Sequence, residues 1–96
     1  MKLSYVYIIT NEHNNVLYIG VTSDLIKRIY QHKNRITEGF TSRYNVDKLV
    51  YFQQFENIEE AIKREKRLKK YRREQKDKLV NEFNSEWRDL YGEITL

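Results

Sequence analysis

The sequence predicts a small α/β domain of the α+β kind, and three observations carry that prediction. Two apolar runs, YVYIIT (residues 5 to 10) and LYIGVT (17 to 22), alternate with the two-residue period of strands and are separated by the polar NEHNN. A third run, KLVYFQQF (48 to 55), is equally rich in aromatic and β-branched residues. Between and after these runs, apolar residues recur at the spacing of a helix face.

In chain order, the first two runs read as a β-hairpin whose loop is slightly longer than the tightest type. TSDLIKRIYQHK then offers Thr22, Ser23 or Asp24 as a cap and sets Leu25, Ile29 and His32 on one helical face, so a first helix is expected from about Ser23 to Lys33 or Asn34. RITEGFTSRYNVD, with Gly39 and many polar residues, reads as a loop before the third strand. NIEEAIKREKRLKKYRR starts with Asn57 three residues ahead of Glu60, in the manner of a capping box. A break near Arg72 to Glu74 should separate this helix from a third, EQKDKLVNEFN. In SEWRDLYGEITL, Trp87, Leu90 and Tyr91 are set to dock as a short helical turn. One domain is expected over residues 1–91, followed by a loose tail over 92–96.

Ninety-six residues suffice for one core and not for two. With no cysteine, disulfides, thiolate zinc sites and cysteine nucleophiles are excluded, which fits a reducing cytoplasm. The start of the chain reads as a strand rather than a signal peptide, and no apolar stretch could span a bilayer. The net charge of +4 is unevenly spread. Residues 1–62 carry seven basic and seven acidic side chains, residues 63–78 ten and three, and residues 79–96 one and four. The excess is one local patch on the second and third helices, either a solvated helix face or a footprint for a polyanion.

Within the second helix, Ile58, Ala61, Ile62 and Leu68 mark the stripe expected to face the sheet, and Glu65 falls inside it. A carboxylate aimed at a sheet needs compensation, either from a salt bridge or a tyrosine hydroxyl, or from a hard divalent cation. On the first helix, Arg28 and His32 stand four apart and share a face. They either extend to solvent or offer a forked phosphate donor and a group that transfers protons near neutrality. In the hairpin, Tyr5 and Tyr7 share a strand face, as do Tyr18 and Gly20, while Val6, Ile8, Leu17, Ile19 and Val21 occupy the other. Gly20 leaves room beside the phenols for another group to approach.

Taken together these residues resemble the GIY-YIG nuclease superfamily over about residues 3 to 80, and most closely its small single-domain bacterial group. YVY (5 to 7) stands where the family has GIY, with Tyr5 in place of the first glycine, and YIG (18 to 20) matches the second half in full. RIYQH (28 to 32) resembles the segment of the catalytic arginine and a histidine four residues on. AIKREKRLKK resembles the segment of the metal-binding glutamate, which falls on Glu65. The resemblance implies a three-stranded antiparallel sheet flanked by helices and an endonuclease that hydrolyses DNA phosphodiester bonds with Mg²⁺ or Mn²⁺, in DNA repair or recombination. Its implied catalytic set is Tyr7, Tyr18, Arg28, His32 and Glu65, with Gly20 as the close-approach glycine and Glu65 as the metal ligand. Lys66, Arg67, Lys69, Lys70, Arg72 and Arg73 would follow the phosphates of DNA, branched or damaged DNA included. Two other classes stay open. One is a nucleic-acid-binding module without turnover, and the other is a protein-interaction domain that uses the tyrosine face.

Overall fold

In the computed structural model, which describes residues 2–36 and 39–96, β1 (Ser4–Thr10) lies in the middle of a three-stranded antiparallel sheet. It is flanked by β2 (Leu17–Thr22) and β3 (Lys48–Phe55). Around the sheet are α1 (Leu25–Lys33), α2 (Phe40–Arg43), α3 (Ile58–Lys69), α4 (Arg73–Phe83) and α5 (Tyr91–Ile94). Met1, Thr37 and Glu38 lie outside the described residues, the last two within the expected loop.

The hairpin register pairs Tyr7 with Gly20 and Ile8 with Ile19, so the phenolic and aliphatic faces separate as the alternation requires. On the aliphatic face, Val6, Ile8 and Ile19 pack with Val50, Tyr51, Ala61, Leu68 and Val80, which places α3 and α4 there. On the other face, Tyr7 and Ile9 pack with Leu25, Ile29, Val46, Leu49 and Leu90, beneath α1 and the C-terminal segment. The sheet therefore has a core on each side.

Local signals set most helix ends. The Asp24 carboxylate accepts from the Lys27 amide at 3.1 Å and starts α1, two residues later than the earliest expected start. The Asn57 side chain accepts from the Glu60 amide at 2.9 Å and starts α3 as the capping pattern requires. The break falls at residues 70–72, and Gln75 accepts from the Arg72 amide at 2.8 Å to open α4.

Four features differ from the sequence expectations. The loop after α1 contains α2, which buries Thr41. Ile58 is exposed, because at the first turn of α3 the helix has not yet reached the sheet; Ala61 and Leu68 make the contact. Between Ile8 and Ile9 the pairing with β3 slips by one residue, a bulge that turns consecutive Val50 and Tyr51 onto the same face. Finally, α5 runs past the boundary drawn at residue 91, and Ile94 packs against the core beside α1, leaving only Thr95 and Leu96 beyond the helix.

Candidate active site

Tyr7 is brought to the centre of the phenolic face by its position on the middle strand, and no part of it is exposed. Its hydroxyl lies 3.0 Å from Nε2 of His32 and accepts from Nε of Arg28 at 3.4 Å. Arg28 and His32, one turn apart on α1, thus converge on a single phenol oxygen. The other ring nitrogen of His32, Nδ1, is 3.2 Å from Oγ1 of Thr41, so α2 supports the imidazole from behind. Tyr18 on the neighbouring strand completes an aromatic triangle. Its ring centroid is 6.5 Å from that of Tyr7 and 5.9 Å from that of His32.

Gly20 explains how the triangle closes. A Cβ there would lie 2.9 Å from Cε1 of Tyr7 and closer still to its Cζ and hydroxyl, an approach that real side chains do not make. The glycine is required for contact rather than for backbone freedom.

Burial sets the protonation states. Desolvation pushes the Tyr7 phenol up to about 12, an effect that the Arg28 cation opposes and that Tyr18 and the Glu65 carboxylate reinforce. Desolvation also pushes His32 down to about 4, with Arg28 acting in the same direction and Asp47 against it. At neutral pH the centre is therefore a protonated phenol, a neutral imidazole and a guanidinium.

Glu65 stands on α3 with its side chain only 15% exposed, near enough for its charge to oppose ionisation of Tyr7. Its partner is Lys69, one turn on, at 3.5 Å, and that lysine is 54% exposed. Glu65 is thus sunk among the protein atoms, while the cation that compensates it is largely in solvent. Among the described residues no three His, Cys, Asp or Glu side chains cluster in a way that would hold a metal by themselves. One hard oxygen ligand suits an ion such as Mg²⁺ or Mn²⁺ that keeps most of its waters and completes its shell with a substrate phosphate.

The expected set of Tyr7, Tyr18, Gly20, Arg28 and His32 is assembled within hydrogen-bonding or ring-contact distance, and Glu65 is coupled to it by charge. The basic residues divide. Lys66, Arg67, Lys69, Lys70 and Arg72 are exposed, although Arg72 pairs with Glu74 at 3.1 Å. Arg73 has another occupation: its guanidinium holds Asp77 at 2.7 Å and donates to the carbonyls of Asn14 and Asn15 in the hairpin turn. Thr41 escapes a reading of the sequence, since FTSR carries no pattern that links it to His32; only the packing of α2 brings the two together.

Comparisons with known proteins bear on this geometry. A family model described as the GIY-YIG catalytic domain matches residues 3–78. A UPF0213 protein of Clostridium perfringens is 38% identical over 94 residues, covering 98% of this chain and all of its own length. A UPF0213 protein of Staphylococcus saprophyticus is 35% identical over 82 residues, covering 85% of this chain and 99% of its own. The solution NMR structure of a UPF0213 protein from Bacillus halodurans superposes with a TM-score of 0.52 at 30% identity, covering 82% of this chain and 83% of its own. The paired tyrosines, the glycine that lets them close and the arginine and histidine above them are therefore features of a chain that belongs to the GIY-YIG family, among its UPF0213 members.

Proposed function

We propose that this chain is a divalent-metal-dependent endonuclease that hydrolyses phosphodiester bonds of DNA. The observation that carries this reading is the convergence of Arg28 and His32 on the buried hydroxyl of Tyr7. Among the described residues Arg28 makes two side-chain hydrogen bonds, each 3.4 Å long, to the neutral groups of Tyr7 and Gln31. Such long bonds are readily exchanged for a phosphate oxygen, and a guanidinium offers a fork that stabilises charge developing on phosphorus. Its departure from Tyr7 uncovers the phenol oxygen. Tyr7 then accepts a proton from the attacking water as its own proton passes to Nε2 of His32, while Tyr18 orients that water from the half-buried edge of the triangle. Thr41 holds His32 in the ring orientation this transfer needs. Glu65 would hold the divalent ion, which when bound supplies Lewis-acid charge at the scissile phosphate and the leaving 3′ oxygen. Lys66, Arg67, Lys69, Lys70 and Arg72 follow flanking phosphates without selecting sequence.

The rival reading, a binding module without turnover, is favoured by the contact of Lys69 with Glu65. One experiment separates the two. Wild type, Arg28→Ala and Glu65→Gln are incubated with linear and branched DNA in Mg²⁺, Mn²⁺ or chelator, and melted under the same conditions. The nuclease reading expects metal-dependent cutting and a metal-induced rise in melting temperature. Arg28→Ala should lower cutting at least about a hundredfold, the scale for removal of one preorganised donor. Glu65→Gln should lose both cutting and the metal-induced rise. Because Lys69 is mostly in solvent, loss of the ion pair itself should change stability by no more than about 1 kcal/mol. DNA that is bound but never cut, with a melt indifferent to metal, favours the binding module.

A further inference from the structure

Beyond the catalytic triangle the aromatic surface continues outward. Phe40 on α2 stacks on Tyr18 with ring centroids 6.5 Å apart and planes at 26°, and Tyr44 follows at 4.9 Å from Phe40. Phe40 is 48% and Tyr44 47% exposed. A row of rings that starts at Tyr7 thus runs from the buried phenol into solvent. Beside it lies a groove of about 340 Å³ lined by Leu17, Tyr18, Ile19, Phe40, Lys69 and Lys76. Its aromatic wall is Tyr18 with Phe40, and two lysines from α3 and α4 stand in the lining with them. A flat apolar ring face opening beside ammonium groups complements one kind of ligand in particular, a planar base attached to a phosphate. A base-paired duplex cannot present such a face from its side, because its bases are stacked on one another.

We propose that Phe40, flanked by Tyr44 and by Lys69 and Lys76, is a stacking platform for an unpaired nucleobase next to the bond to be cut. The substrate class is then a polynucleotide with a locally unpaired strand, such as a fork, flap or loop, rather than an intact duplex. This rests on the nucleic-acid side of the reading above and deepens it.

The test needs no cleavage. In chelator, fluorescence anisotropy measures binding of a blunt duplex and of the same duplex with one single-stranded arm, each made as DNA and as RNA, with 2-aminopurine at the first unpaired position. Wild type should prefer the forked form and quench the 2-aminopurine. Phe40→Ala should weaken binding of the fork about tenfold, within the range for loss of one stacked base, and abolish quenching while leaving the blunt duplex unchanged. Phe40→Trp should retain both effects, and Tyr44→Ala should give a smaller loss in the same direction. It also serves as the second variant should Phe40→Ala melt early. RNA forks bound with the same Phe40 dependence sustain the platform and include RNA in the class. Equal loss on fork and duplex, or binding indifferent to both substitutions, overturns it; the latter outcome leaves the aromatic row to a protein partner. Because binding is read without metal, absence of cutting with Phe40-dependent fork binding refutes only the nuclease reading, and cutting with Phe40-independent binding refutes only the platform.

Discussion

A methyl group at Gly20 has nowhere to go. The Tyr7 ring that it would strike is fully buried and hydrogen-bonded, so either the ring or the strand must shift. Gly20→Ala should cost about 1 to 3 kcal/mol, the usual penalty of overpacking, and pull the hydroxyl away from His32. Thermal melts give the first quantity, and, under the nuclease proposal, loss of cleavage at unchanged DNA affinity reports the second. His32 yields a pH dependence of defined sign. It titrates near 6.5 when unfolded and is pushed down to about 4 when folded by burial and by Arg28, against the pull of Asp47. Between those values the unfolded chain holds more protons, so this residue's contribution is complete above about pH 6.5 and declines as pH falls, by about 3 kcal/mol at pH 4. Melts of wild type and His32→Gln from pH 7 to 4.5 check it: wild type should lose more stability over that interval than the variant. Parallel curves would mean that His32 takes up its proton in the fold.

At the scale of elements, what is legible in the sequence is whatever depends on near neighbours. The strand KLVYFQQF matches β3 residue for residue, the Asn57 cap starts α3, and the two faces of the hairpin follow from alternation. The bulge is not legible, because it depends on a residue far away: Asn84, buried at the end of α4, donates to the carbonyl of Val50 at 3.2 Å where the ladder slips. The same holds at the site. Tyr7, Tyr18, Arg28 and His32 lie in short segments whose resemblance to the family singles them out, whereas Thr41 is visible only once α2 has packed. The basic helices divide for this reason too. Replacement of Lys69, Lys70 and Arg72 by Gln should weaken binding to all DNA alike and flatten the salt dependence by about 0.9 in log–log slope for each phosphate no longer neutralised. Arg73→Gln should change the slope less and cost about 1 kcal/mol of stability instead, since its donors serve the hairpin turn. Anisotropy across a potassium chloride series, with parallel melts, distinguishes the two outcomes; an unchanged slope in the triple variant would move the DNA-binding surface elsewhere.

For the molecule as a whole, the family match ends at residue 78 but the fold does not. Val80 and Leu90 are buried in the cores on opposite faces of the sheet, and Asp89 accepts from the Leu49 amide at 3.2 Å while pairing with Lys33 on α1. Burial of two such aliphatic side chains contributes roughly 1.5 to 3 kcal/mol each, a large part of the 5 to 15 kcal/mol that typically holds a domain together. A chain cut after residue 78 should therefore lose its cooperative melt, as circular dichroism would record. A sharp transition in the shortened chain would show that α5 and the segment before it are dispensable. The hold of Arg73 on the hairpin turn bears on engineering. The turn from Asn11 to Asn15 is polar and lies at the surface, the sort of place chosen to splice in a tag or a second domain. Its backbone, however, is read from within by the Asn11 side chain and from outside by Arg73. An insert there would displace a contact between parts of the chain 58 residues apart and loosen the hairpin that carries both tyrosines, so the seemingly open turn is a poor port of entry.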